Sequence, residues 1–113
     1  MNYAIVTTKD FETGFKRLSK KYRSLDRDYE ILTKNLLANP TMGDKLSDNV
    51  RKVRMAIASK GRGKSGGARV ITCTVLVDVV NTDIYMLTIY DKSEQDSISE
   101  KEIRNLKERN GLM

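Results

Sequence analysis

The stretch Arg51-Lys52-Val53-Arg54-Met55-Ala56-Ile57 decides the fold, because the apolar period of the chain changes there. Val53, Met55 and Ile57 fall on one side of an extended backbone, and Lys52 and Arg54 fall on the other, as alternate side chains do in a strand. Upstream the period is helical. Phe11, Phe15, Leu18 and Tyr22 mark one helix face, with Lys16, Arg17, Lys20 and Lys21 mostly off it. Ser24 marks a break. Leu25, Tyr29, Leu32 and Leu36 then repeat the same spacing until Asn39-Pro40 ends it. Two closely linked helices with one apolar stripe each predict an antiparallel hairpin packed on another layer. Before them, residues 3–8 read as a first strand, with Thr8 or Asp10 placed to cap the helix. Residues 41–49 have the composition of a loop.

Downstream, residues 59–67 (Ser-Lys-Gly-Arg-Gly-Lys-Ser-Gly-Gly) must be a loop. From Arg69 to Val79 β-branched residues dominate, which predicts a long, well-buried strand. Asn81-Thr82-Asp83 reads as a turn, and Ile84 to Tyr90 as the last strand of a hairpin. Ser99 with Glu102 forms a capping box, and Ile98 and Ile103 stand where a hydrophobic staple would put them. A final helix over about 99–110 follows, with Gly111 just past its end. The order β-α-α-β-β-β-α predicts an α+β fold. Its helices should lie to one side of a mainly antiparallel sheet, within a single domain of residues 1–113.

The net charge is +6 over 113 residues, and it is concentrated. Arg51, Lys52, Arg54, Lys60, Arg62, Lys64 and Arg69 lie in one segment, and no Asp or Glu occurs between Asp48 and Asp78. The rest of the chain is nearly balanced. Such a block favours a polyanion through phosphate contacts and counterion release, unless it is only a solvated basic face. No apolar run is long enough to cross a bilayer, so no membrane partner is expected. The N-terminus lacks the pattern of a signal peptide, and the lone Cys73 cannot form an internal disulfide. A cytoplasmic setting is therefore expected, with Cys73 an inert core thiol.

The loop Gly61-Arg62-Gly63-Lys64-Ser65-Gly66-Gly67 carries Lys-Ser after a glycine, as a P-loop does. It lacks the earlier glycine, and a strand rather than a helix should follow, so nucleotide hydrolysis is not expected. The better reading is that its glycines let a phosphate backbone approach while Arg62, Lys64 and Arg69 meet it. If the strand carrying Lys52 and Arg54 pairs with the one starting at Arg69, these cations converge on one patch. The competing reading of Lys52 and Arg54 is an edge strand protected by charge. The chain has no histidine and no metal-ligand spacing, so neither metal nor cofactor is expected. Asp91 and Glu94 suit strand-end salt bridges better than acid–base work.

On these residues the chain resembles the RelE/HigB toxins of type II toxin–antitoxin modules. The resemblance is carried by Lys52-Val53-Arg54-Met55-Ala56, by Gly63-Lys64-Ser65-Gly66-Gly67-Ala68-Arg69-Val70, and by Tyr85-Met86-Leu87-Thr88-Ile89-Tyr90-Asp91-Lys92 with its Tyr-x-Lys ending. The helical hairpin before these motifs and the short helix after them agree in order. The resemblance implies a RelE-like fold and a metal-independent ribonuclease that cuts messenger RNA in the ribosome, the RNA's own 2′-hydroxyl attacking the adjacent phosphate. It implies messenger and ribosomal RNA as partners and a cognate antitoxin that covers the basic patch or displaces the final helix. The chain would then exist as a homodimer or as a toxin–antitoxin hetero-oligomer. By motif, Lys52, Arg54, Lys64 and Arg69 fall on the family's basic active-site positions, with Tyr90 and Lys92 as further candidates. The chain departs from members that use a histidine. It has Lys92-Ser93-Glu94 where others carry an arginine, and no tyrosine in its last helix.

The chemistry is consistent with this cluster. Attack by a 2′-hydroxyl makes a dianionic phosphorane, which fixed cations stabilise. Arg54 and Arg69 suit the scissile phosphate, since arginine binds phosphate in bidentate fashion. Crowded cations favour a neutral lysine, and Lys52 is the candidate base by position. Lys64 is either the acid for the leaving 5′-oxygen or a phosphate contact. Tyr90 stacks on a base or positions the proton, unless it is simply a strand tyrosine. Arg51, Lys60 and Arg62 are expected to be positioning contacts to RNA. Two other functions stay open: a gyrase-inhibiting toxin of the ParE type, and a non-catalytic RNA- or ribosome-binding module.

Overall fold

The computed structural model describes residues 1–61 and 63–112. Its elements are β1 (Asn2–Thr7), α1 (Lys9–Lys21), α2 (Leu25–Ala38), β2 (Asp44–Ser47), β3 (Val50–Met55), a 3₁₀ turn (Ala58–Lys60), β4 (Ala68–Leu76), β5 (Asn81–Asp91) and α3 (Glu100–Arg109). The fold is α+β, with a mixed five-stranded sheet in the order β1-β5-β4-β3-β2. β1 runs parallel to β5, and the β5–β4, β4–β3 and β3–β2 pairs are antiparallel.

Local chemistry explains the helix ends. The Thr8 hydroxyl accepts from the Phe11 amide and donates to the Met86 and Leu87 carbonyls, so one buried side chain starts α1 and ties it to β5. The Ser99 hydroxyl accepts from the Glu102 amide at 3.1 Å, as the capping box requires. Gly111, at φ 67°, ends α3 in the left-handed region, and the Leu112 amide returns to the Lys107 carbonyl at 2.8 Å.

Three expectations need correction. Residues 44–47 form strand β2 rather than loop. All four are exposed, so backbone pairing with β3 creates this edge without any apolar period to announce it. The turn before β5 lies at residues 77–80, not 81–83, and β4 ends at Leu76. The Asp78 carboxylate accepts from the Val80 and Asn81 amides and from the Asn81 side chain, which folds a valine-rich segment back on itself. The helices also do not segregate to one side. α1 and α2 cover one face, where Phe11, Leu18, Leu32 and Leu36 pack on Val53, Met55, Val70, Met86 and Ile89. α3 covers the other, where Leu106 and Ile103 pack with Val50, Ile71, Cys73, Leu87 and Tyr90. A central strand apolar on both faces needs cover on both.

Candidate nucleic-acid interface

Two strand pairings assemble the candidate cations. Arg54 on β3 stands opposite Arg69 on β4, and Arg69 stands opposite Tyr90 on β5. Two residues back, Lys52 stands opposite Ile71, and Ile71 opposite Thr88. Val50, Ile71 and Tyr90 belong to the cluster under α3, so alternation puts Lys52, Arg54, Arg69 and Tyr90 on that face. Tyr90 arrives there through a one-residue bulge. The β4–β5 register steps from Ile71↔Thr88 to Thr72↔Met86, leaving Leu87 as the extra residue. Strict alternation along β5 would have turned Tyr90 to the hairpin face beside Met86.

Within this row the residues differ in freedom. Arg69 is 4% exposed, and its guanidinium donates to the Lys64, Ser65 and Ala68 carbonyls at 3.0, 3.1 and 3.2 Å. It therefore organises the loop that carries Lys64, with roughly two of its five donors left over. Arg54 is exposed and pairs with Asp44 on β2 at 3.2 Å. Lys92 pairs with Asp96 in the segment between β5 and α3. Lys52 and Lys64 are in no salt bridge among the described residues. Lys64 is exposed and Lys52 half-buried. Tyr90 is 4% exposed, and its hydroxyl has no hydrogen-bond partner among the described residues. Burial pushes its phenol up; the Arg69 charge opposes this, and Glu102 and Asp96 add to it. As the molecule stands, Tyr90 lies too deep to stack on a base.

The proposed RNA contacts separate. Arg51 follows Val50 and stands opposite Thr72, so alternation turns it to the hairpin face, away from Lys52 and Arg54. Lys60 is committed inside the protein: its ammonium lies 2.8 Å from the fully buried Asp91 carboxylate, with its own side chain 11% exposed. It holds the loop in place rather than presenting charge to solvent. Arg62 lies outside the described residues.

The sequence reading expected Asp91 in a strand-end salt bridge, which Lys60 supplies, but it missed Asp28 and the several donors gathered on Asp91. Asp91 accepts from Lys60, from the Tyr22 hydroxyl, and from the Ser93 amide and hydroxyl. Burial alone would raise its pKa, but these donors win and hold it well below the usual carboxylate range. Asp28 on α2 accepts from the Ala58 amide and the Ser24 hydroxyl. The two carboxylates pin the 3₁₀ turn that leads into the glycine-rich loop, and the Gly67 carbonyl accepts from the Lys92 amide to close its far end. Gly67 has a steric reason as well: a Cβ there would stand 2.1 Å from the Met55 carbonyl oxygen. Close approach within the protein, not approach of a ligand, demands glycine at this position. Asp91 shows in the sequence only as the polar end of a strand, and Asp28 only as one more polar residue in the first turn of α2, so neither clamp had a distinctive signal.

No family model matches the chain.

Proposed function

We propose that the chain is an RNA-cleaving toxin of the RelE/HigB kind, with a RelE-like arrangement of its α+β fold. Its substrate is messenger RNA in the ribosome, and a cognate antitoxin neutralises it. The observation that supports this best is the Arg54–Arg69–Tyr90 cross-strand row with Lys52 on the same face. In the proposed step the 2′-oxygen attacks the adjacent phosphorus as its proton passes to the general base, for which Lys52 is the candidate by position. The bond from phosphorus to the 5′-oxygen breaks, and the Lys64 ammonium supplies the proton that oxygen needs. The products are a 2′,3′-cyclic phosphate and a 5′-hydroxyl. Arg54 holds the phosphorane, Arg69 adds its charge from beneath while it fixes the loop that carries Lys64, and Lys92 adds charge at the end of β5. Losing one such donor typically slows a reaction by roughly 10²–10³.

A second reading has one observation in its favour. The cover over Tyr90 suits a module that binds RNA or the ribosome without cutting it. Expression of the parent, Lys52→Ala and Arg54→Ala chains in growing cells separates the readings. The nuclease gives growth arrest with breaks inside translated messages, and both variants relieve it. Arrest with intact messages removes the nuclease and leaves the binding module. Stalled DNA replication with intact messages points instead to gyrase inhibition.

A further inference from the structure

Two exposed carboxylates bracket the cation row from opposite sides. Asp44, on the edge strand β2, stands opposite Lys52 and is bonded to Arg54 at 3.2 Å. Asp96, in the segment between β5 and α3, is bonded to Lys92 through its carboxylate, while its carbonyl lies 3.4 Å from the same ammonium. Neither has a covering layer: their side chains are 54% and 89% exposed. The Lys92 ammonium, by its hydrogen bond and charge, and then the Lys52 and Arg69 charges hold the Asp96 carboxyl below its ordinary value. Asp96 therefore stands in the combined field of three cations of the row.

We propose that Asp44 and Asp96 occupy the positions that phosphates of the bound strand take, so that the interface favours a ligand bringing two or more phosphates at once. This rests on the RNA reading above and adds its selection rule. A carboxylate and a phosphate oxygen present the same acceptor to an arginine or lysine. A mononucleotide or inorganic phosphate must displace an internal anion already tethered at high local concentration. A polynucleotide displaces both and is repaid along the row. The exposed pairs are individually weak, so they can be exchanged without unfolding anything. The cations released on binding come from the nucleic acid, and each carboxylate that a phosphate displaces attracts cations again, so the net release is smaller while Asp44 and Asp96 are present.

The test is binding of a ten-nucleotide single-stranded DNA, which has no 2′-hydroxyl to attack, across a salt series. The proteins are the parent, Asp44→Asn/Asp96→Asn, and a charge-matched control, Asp26→Asn/Glu30→Gln, altered on α2 on the other face. Circular dichroism confirms that each is folded. The expected result is binding about five- to tenfold tighter for Asp44→Asn/Asp96→Asn, with a log–log salt slope steeper by about one to two. Inorganic phosphate should compete measurably only in that variant, and the control should stay near the parent. Equal gains in the control would show a general charge effect and overturn the proposal. Unchanged or weaker binding by Asp44→Asn/Asp96→Asn would also overturn it, while leaving the RNA reading in place. No binding by either protein at low salt would overturn both.

Discussion

Asp91 has no exposed surface, yet four donors keep its carboxylate charged, and one of them is the nearly buried Lys60 ammonium. Asp91→Asn would leave that ammonium without its counter-charge. It should cost about 3 kcal/mol in urea unfolding at neutral pH, in the range for breaking a buried ion pair. The same group sets an acid limit. Its folded pKa is lowered, so its contribution is fully present above the unfolded value of about 3.9 and is lost as pH falls toward the folded value. The parent's urea midpoint should fall faster than the variant's below about pH 4. Cys73 gives a second test at this scale. Burial pushes its thiol up, with Lys107 opposing, so iodoacetamide should label it only after denaturant is added. Labelling of the folded chain at the rate of a free thiol would contradict the packing under α3. The sequence made the cations legible, because a run without Asp or Glu stands out. It hid most of their partners, because Asp44 and Asp96 come from other segments and only folding brings them near; Asp91 was legible as a strand-end salt bridge, but not that Lys60 is its partner.

Among the elements, those built on apolar periodicity were readable and those built on backbone pairing were not. α1, α2 and α3 announce themselves through spaced apolar residues and caps. β2 buries nothing and exists only as a ladder on β3. The bulge at Leu87 escaped for the same reason, since strict alternation is the only rule a strand sequence offers. It decides the face of Tyr90, so the side of a candidate residue was less legible than its identity. The glycine-rich loop tests the distinction between local freedom and close packing. Gly67→Ala puts a methyl against the Met55 carbonyl and should cost about 3 kcal/mol, as overpacking does. Gly61, unlike Gly67, has a positive φ of 69°, but nothing stands near its missing Cβ. Gly61→Ala should cost only about 1 kcal/mol. Equal costs in thermal or urea unfolding would show that the loop does not pack on β3 as described.

For the whole molecule, the arrangement of layers shapes the function proposed. The α1–α2 hairpin and α3 cover opposite faces of the sheet, and the cation row lies on the α3 face. The one-sided layout expected from the sequence would have left this face bare. Here α3 and the segment before it stand over Tyr90, so access to the row depends on how they sit. The central claim concerns chemistry on that face, and the ends of the cut strand report it most directly. Purified chain is incubated with ribosomes carrying a short message, and the termini of the fragments are identified. A 2′,3′-cyclic phosphate upstream and a 5′-hydroxyl downstream are expected from the parent, with the cut rate down roughly 10²–10³ for Arg54→Ala. An uncut message, fragments ending in 5′-phosphate, or a parent-like rate in Arg54→Ala would contradict the account.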